Sequence, residues 1–374
     1  MTQLVYSTVP PLSSISRVRA WWLRWYGPTW LVLATILGGW SWLTMVGGEW
    51  PAWQLMLVGG PLLCWYGSLQ HELIHGHLLP GSRWNDRLAS APLNLWLPYA
   101  RYRDTHLVHH ATLHLADPLA DPESFYVMPG CWAGLGSLRR GLLWVNNTLA
   151  GRMLIGPWLQ VGGFYLDEWR ALRQGDQARW RVWAWHGLGV ALLVGWLLAW
   201  DFSPLRYALL VVWPAAGLLL VRSFHEHRPA DSLAAASVVV EAAWPWRWLF
   251  LNNNYHVLHH RSPELPWYRL HDQYHREREA LLTANHGFHF SGYGEWFRRY
   301  AWWPRDHPCF PVGAVAADSA SGISTSDHGG HHEHGAITAP GDPGDYRRPE
   351  SGASREPGRY SGGTGGRGPE PAPR

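Results

Sequence analysis

The sequence contains no lysine, and charged residues make up only 16% of its 374 residues. The net charge of +3 at pH 7 therefore comes from arginines, which are scattered along the chain rather than gathered into a stripe. Proteins that bind nucleic acid typically concentrate basic residues on one face. This composition does not indicate a nucleic-acid partner.

Cysteine is also scarce, because only Cys64, Cys131 and Cys309 occur and no two of them have C-x-x-C spacing. Neither a disulfide scaffold nor a thiolate metal site is indicated, and a reducing compartment is favoured. The sequence also lacks a secretory cleavage pattern, since its basic start leads into an apolar run longer than a signal peptide's core. We therefore expect the N-terminus to be retained.

Four long runs without charge stand out against this background. Each approaches the length of a membrane-spanning helix, and Trp and Tyr crowd their ends, as at membrane interfaces. A single run could be a buried helix of a large soluble domain, but four together favour a membrane protein. We expect an all-α fold with four transmembrane helices in two hairpins and a cytoplasmic helical cap. The runs are Thr29 to Val46, Ala52 to Gln70, Val182 to Trp200 and Tyr207 to Val221.

The distribution of arginine predicts which side of the membrane each segment occupies. Arg17, Arg19 and Arg24 precede the first run, whereas the turn at 47–51 carries no basic residue. By the positive-inside rule the N-terminus is cytoplasmic, and both hairpins enter the membrane from that side. Both termini and all histidine clusters are then predicted to be cytoplasmic.

Histidines recur at spacings that place them on one helix face. The pattern H-x-x-H-H occurs twice, and an i, i+4 pair precedes both copies. A lone histidine is more often a hydrogen-bonded core residue, but repeated clusters in an apolar chain indicate a metal site. The number of imidazoles is about twice what one ion needs, so we expect two metal ions. The clusters are His71 and His75; His106, His109 and His110; and His256, His259 and His260, with His227 or His225 between the last two.

Ligand type alone does not name the element, because imidazole binds iron, copper, nickel and zinc. His71-Glu72-Leu-Ile-His75 also fits the zinc protease motif H-E-x-x-H, in which the glutamate is the general base. A catalytic zinc needs only three protein ligands, which argues against this alternative. A metal transporter is a further alternative, but it would need polar ligands midway through the spans, where the sequence offers little beyond small hydroxyls.

The ordered series H-E-L-I-H, H-L-V-H-H, F-H-E-H-R and N-N-Y-H-V-L-H-H-R-S-P-E-L-P-W resembles the histidine-box membrane di-iron family, and within it the bacterial fatty acid desaturases. The resemblance implies a membrane domain at 29–304 with two irons, dioxygen as co-substrate, and an oxidoreductase that introduces a C=C bond into an acyl lipid. It also implies an integral protein of the bacterial cytoplasmic membrane. A hydroxylase or ketolase of an alkyl or carotenoid substrate is the alternative within the family.

Carried over residue by residue, the resemblance makes nine histidines metal ligands: His71, His75, His106, His109, His110, His227, His256, His259 and His260. Acyl desaturases have an asparagine one turn before the histidine that corresponds to His227, where this chain has Ser223. That difference leaves the reaction outcome open. Residues expected to lie around the ligands are Glu72, His77, Asp117, Ser223, His225, Glu226, Glu241 and Asn252; the acidic loop 117–124 is expected to supply carboxylates that orient imidazoles.

The remaining segments carry no expected chemistry. Residues 1–28 form the predicted cytoplasmic N-terminal segment, and residues 312–374, rich in Gly, Ser and Pro, are predicted to be disordered. The tail's histidines at 328–334 are predicted to bind metal only weakly. No cytochrome b5 signature or dinucleotide fingerprint occurs, so by the resemblance electrons come from a separate ferredoxin, rubredoxin or cytochrome with its reductase.

Overall fold

A computed structural model describes residues 14–79, 81 and 83–311 of the chain. The predicted tail, including its histidines at 328–334, and the first part of the predicted N-terminal segment lie outside the described residues. Most of what is described is helical, in agreement with the all-α expectation.

The helices in chain order are α1 (Ser14–Arg24), α2 (Gly27–Val46), α3 (Ala52–Ile74), α4 (Trp84–Ala89), α5 (Tyr99–Ala111), α6 (Pro129–Gly134), α7 (Ser137–Asn146), α8 (Leu149–Leu154), α9 (Gly156–Arg173), α10 (Gln177–Ala199), α11 (Pro204–Tyr207), α12 (Trp213–Arg222), α13 (Leu233–Ala236), α14 (Trp244–Leu249), α15 (His256–Arg261), α16 (Trp267–Ala284) and α17 (Tyr293–Tyr300). A π-helical segment, Ala208–Val212, joins α11 to α12, and a 3₁₀ turn, Ser223–His225, follows α12. The strands β1 (Val239–Val240) and β2 (His289–Phe290) pair in parallel.

Three helices are long and apolar enough to cross a membrane: Gly27–Val46, Gln177–Ala199 and the continuous helix Pro204–His225. In the most apolar window of Gln177–Ala199 only 17% of the residues are buried, and Trp185 is 75% exposed. Such an apolar exposed surface is costly in water and suits lipid. These helices coincide with the first, third and fourth predicted spans.

The second predicted span coincides with α3, which has the length of a span but falls below the hydropathy of the other three. Its position accounts for this, because α3 packs against α2, the π-helical segment and α12. A helix enclosed by other helices does not need a wholly apolar surface. The second predicted span, and with it the total of four spans, therefore remains a prediction.

Two glycines allow α3 to approach the last long helix closely. A Cβ atom at Gly67 would lie 2.6 Å from Leu219 Cδ1, and one at Gly59 would lie 2.8 Å from Val211 Cγ2. Small residues at such contacts let helix backbones pack tightly. The close packing fixes the end of α3 relative to the segment that follows α12, and both carry histidines.

The segments outside the long helices form the surroundings of that end. The stretch 83–99 contains the six-residue helix α4 followed by turns. The region 138–180 contains α7, α8, α9 and the start of α10. After α12, the pairing of Val239 with His289 ties the chain before α14 to the segment after α16.

Candidate metal centre

Four segments bring histidines to one place. The end of α3 supplies His71, with His75 as the residue that caps the helix, and α5 and α15 each present three more. His227 follows the 3₁₀ turn, where its backbone forms an antiparallel bridge with Ser237. The chain enters α15 through Asn252, whose φ of 57° is a left-handed conformation that asparagine tolerates better than most residues.

All nine histidines expected to be ligands lie in two groups. Within each group, one ring nitrogen of every histidine lies within 4.8 Å of the corresponding nitrogens of the others. The first group is His71, His75, His106, His110 and His259; the second is His109, His227, His256 and His260. The two H-x-x-H-H clusters are thus each shared between the groups.

The second group forms a closed ring of Nε2 atoms. The Nε2 atom of His109 lies 3.2 Å from that of His260 and 3.2 Å from that of His227. His256 completes the ring, with its Nε2 atom 3.0 Å from that of His227 and 3.1 Å from that of His260. Two imidazole ligands at right angles on one ion, each about 2.1 Å away, would have nitrogens about 3.0 Å apart. The spacing therefore fits coordination of a metal.

In the first group the converging atoms are again Nε2. The His75 and His106 Nε2 atoms are 3.2 Å apart, and those of His110 and His259 are 3.1 Å apart. The Nε2 atom of buried His71 has no hydrogen-bond partner among the described residues. A buried nitrogen without a partner is costly, and a metal ion would satisfy it.

The partners of the other ring nitrogen determine which tautomer is present. His109 Nδ1 lies 2.7 Å from Asp121 Oδ1, and His106 Nδ1 lies 2.9 Å from Glu123 Oε1. Since an ionised carboxylate only accepts hydrogen bonds, Nδ1 carries the hydrogen in both imidazoles. Their Nε2 atoms then present lone pairs towards the other histidines, an arrangement that is repulsive without a cation between them and suited to binding one.

Burial keeps most of these imidazoles neutral, which is the form that binds metals. It lowers the pKa of His110 to about 3, with His106 and His109 adding to the effect. Burial also lowers the pKa of His259 and His260 well below the ordinary value. His109 differs, because Glu123 and Asp121 raise its pKa although burial alone would lower it. It is therefore a more basic ligand than the imidazoles whose pKa is lowered.

The acidic loop before α6 holds the two carboxylates that contact α5. Asp121 is itself fixed by the backbone, because its Oδ2 accepts from the Ala116 N–H at 2.9 Å and its Oδ1 from the Glu123 N–H at 2.9 Å. Asp117, the acid of this loop expected to lie around the site, instead accepts from the Leu119 N–H at 2.8 Å. The side chains of this loop in contact with histidine ring nitrogens are thus Asp121 and Glu123 rather than Asp117.

Two further candidates from the sequence, Glu72 and Glu226, have carboxylates near the two groups. Glu226 Oε1 is 3.6 Å from His256 Nδ1 and accepts from the Asn253 side-chain amide at 3.2 Å. Glu72 Oε1 is 3.9 Å from His71 Nδ1. Its other oxygen, Oε2, lies 2.7 Å from His77 Nδ1, so His77 also belongs to these surroundings.

Three other candidates belong to neither histidine group and make contacts elsewhere. His225 joins neither group, and its ring lies among aromatic side chains, 5.0 Å between centroids from Phe288. Glu241 accepts from the Tyr274 hydroxyl at 2.6 Å and also binds Arg278, so it holds α16. Asn252 donates to the Trp267 carbonyl oxygen at 2.9 Å.

Sequence reasoning did not single out Asn253, whose Oδ1 lies 3.3 Å from His256 Nδ1. Its position three residues before His256, in a run of three asparagines, was the available signal, but only the turn geometry decides which asparagine faces the histidine. Ser223 lines a cavity next to the site.

A cavity of about 700 Å³ adjoins the second group. Its polar wall near the histidines includes His227, Glu226, Glu123 and Ser223. Other parts of the wall are apolar and come from α3, α9, the π-helical segment and α12: Leu63, Leu159, Phe164, Val212, Leu219 and Leu220. Its size lies within the range of about 300–1,000 Å³ that is usual for small-molecule sites.

Nine clustered imidazoles that could hold metal ions, beside apolar helices of membrane-spanning length, indicate a membrane protein with a histidine-rich site. The sequence matches the model of the fatty acid desaturase family over residues 48–292. The chain therefore belongs to the fatty acid desaturase family, whose chemistry is that of oxidoreductases. Comparison with curated proteins finds no match.

Proposed function

We propose that the protein is a membrane di-iron enzyme that uses dioxygen to introduce a C=C bond into an acyl lipid. The observation that carries this proposal is the placement of two imidazole groups, of five and four histidines, beside a cavity of about 700 Å³ that His227 itself lines. Bound irons would supply the activation of dioxygen and the removal of hydrogen from an unactivated C–H bond.

The residues of the chain have separate tasks in this proposal. Leu219, Leu220 and Phe164 form apolar cavity wall, which would bind methylene groups and exclude water from the reacting bond. Asp121 and Glu123 hold the imidazoles of α5 in one tautomer. His227 is both a member of the second group and part of the cavity wall, so an acyl chain bound in the cavity would pass next to that group.

The surroundings of Glu72 favour this proposal over a zinc protease. The general base of such a protease must reach a metal-bound water. Glu72 is 1% exposed, and its Oε2 accepts from the Trp267 N–H at 3.1 Å and contacts His77 at 2.7 Å. Its other oxygen lies 3.9 Å from His71 Nδ1. The carboxylate is thus engaged in holding neighbouring groups.

Oxygen insertion into an alkyl or carotenoid substrate is the second candidate. The observation that favours it is Ser223, which lines the cavity together with Glu226 and His227 and stands where the acyl desaturases have an asparagine. A hydroxyl group there offers a shorter hydrogen-bonding reach than an amide. The products of the reaction distinguish the two candidates.

The test is metal analysis of the purified protein together with lipid profiling of cells that express it. Two irons per chain and new double bonds that require oxygen are expected. Two irons with hydroxylated or ketolated products would select the second candidate. Zinc in place of iron with oxygen-independent peptide cleavage would contradict both.

We further propose a multi-pass topology with the metal centre on the cytoplasmic side and a separate electron donor, a ferredoxin, rubredoxin or cytochrome with its reductase. The arginine distribution supports the orientation. Protease accessibility of tags placed in the turn at 47–51 and beside α16 tests it: protection of the second tag in spheroplasts, with exposure of the first, is the expected result.

A further inference from the structure

Five arginines line the cavity, and four of them have a carboxylate partner. Arg101 and Arg179 both contact Glu168, at 2.9 and 3.2 Å. The other two paired arginines are Arg222, whose Nε lies 3.6 Å from Glu226 Oε1, and Arg305, whose Nε lies 3.3 Å from Asp306 Oδ1. The fifth is Arg152.

Among the described residues, no carboxylate lies within salt-bridge distance of Arg152. The residue is only 1% exposed. Its Nε donates to the Asn146 carbonyl oxygen at 2.9 Å, while its Nη1 has no hydrogen-bond partner in the part of the chain that the structure describes. The guanidinium also lies 4.0 Å from the centroid of the Phe125 ring.

The nearby charges leave this cation uncompensated. Arg305 repels it, and the lone carboxylate of Asp306 is already engaged by Asn147 at 2.6 Å and by Tyr126 and Arg305. Burial is the larger cause, and repulsion by Arg305 adds to it, so that the pKa of Arg152 is lowered to about 9. A cation–π contact is weaker than the cost of burying an ion without a partner. The Phe125 ring therefore does not offset the cost of burying Arg152.

We propose that Arg152 is an anion-binding residue of the cavity and that the substrate is an apolar chain with one anionic end group, a carboxylate or a phosphate. The apolar wall would hold the chain, and the free Nη1 of Arg152 would donate to the anionic oxygen. This inference rests on the proposed function only in taking the cavity as the substrate site, and it is tested by binding rather than by turnover.

The experiment measures equilibrium binding of three labelled probes to the purified protein: dodecanoate, methyl dodecanoate and dodecyl phosphate. The wild-type protein should bind one or both anions at least about tenfold more tightly than the ester, because a hydrogen bond to a charged group contributes about 1.5–3 kcal/mol. The variant Arg152→Met, which removes the charge but keeps an apolar stem, should lose this preference and keep its affinity for the ester. Arg152→Lys should retain part of it.

The control variant is Arg139→Gln on α7, an exposed arginine outside the cavity, which should bind all three probes as the wild type does.

A stronger preference for the phosphate would identify a phospholipid-type head group, and a stronger preference for dodecanoate would identify a free carboxylate. Equal affinity of the wild type for acid and ester, or an equal loss for all probes in Arg152→Met, would overturn the proposal. If Arg152→Met does not fold, the wild-type preference and Arg152→Lys still decide. Iron and new double bonds without any preference for anions would leave the proposed function standing and the anion site refuted.

Discussion

Replacing Asp121 with asparagine should weaken metal binding in the second histidine group. Asp121 Oδ1 accepts from His109 Nδ1 at 2.7 Å, and both carboxylate oxygens are held by backbone N–H groups. Asparagine has nearly the same shape, but it removes the negative charge that raises the basicity of His109 and places one NH₂ group where an acceptor stands.

The expected size follows from this contact. Partners that orient a metal-bound imidazole are typically worth 10–100-fold in metal affinity, or about 1.4–2.7 kcal/mol. The desolvated His109–Asp121 contact, with side chains 2% and 1% exposed, should lie at the upper end of that range. The first group, which Asp121 does not touch, should keep its ion.

The assay is iron content per chain during dialysis against increasing chelator. The matched control is Asp117→Asn in the same loop, because the Asp117 carboxylate accepts from the Leu119 N–H and, among the described residues, makes no hydrogen bond or ion pair with either histidine group. Asp121→Asn should lose about one iron at a chelator concentration that leaves Asp117→Asn and the wild type loaded. Equal retention in both variants, or simultaneous loss of both ions, would refute the assignment of Asp121 to one group.

Three further outcomes are expected. His106→Ala and His256→Ala should each abolish activity and lower bound iron. His186→Ala should do neither, because His186 belongs to neither group. Full activity with two irons in His106→Ala or His256→Ala would contradict the two-group arrangement. Glu72→Gln should retain activity within about 10–100-fold of the wild type, and complete loss together with oxygen-independent peptide cleavage would point to a protease. A chain ending near Val312 should insert, bind iron and turn over normally, since the nine clustered histidines all precede that point; loss of iron in a normally expressed truncation would assign the tail a part in the site.

The sequence predicts which histidines come together because their spacing is a helical property. Residues at i, i+3 and i+4 share a face whatever the helix packs against, so His106 to His110 and His256 to His260 could be recognised without a structure. The sequence could not show which ion each histidine would bind, because His109 and His110 are neighbours in the chain yet belong to different groups. That division depends on how α3, α5 and α15 pack.

The surrounding acids were less predictable for a related reason. A loop has no fixed periodicity, so the choice between Asp117 and Asp121 depends on turn geometry, and Asp121 faces His109 because backbone N–H groups hold it there. Glu241 follows an apolar run, as a buried partner of the site might, but the pairing of β1 with β2 directs it to Arg278 and α16. Hydropathy had a similar limit for α3, whose central position permits a less apolar sequence.

The charges around the histidines give an independent reason to expect cations there. Four carboxylates, Glu72, Asp121, Glu123 and Glu226, lie within 4 Å of ring nitrogens in the two histidine groups, and burial keeps most of those imidazoles neutral. Arg222 offsets one of these negative charges through Glu226. Buried charges without partners are strongly unfavourable, and two divalent ions would bring four positive charges to the same place. The acids therefore do more than orient imidazoles: they make the loss of either ion costly, so chelation should lower the unfolding temperature of the wild type more than that of a variant in which one of them is neutral.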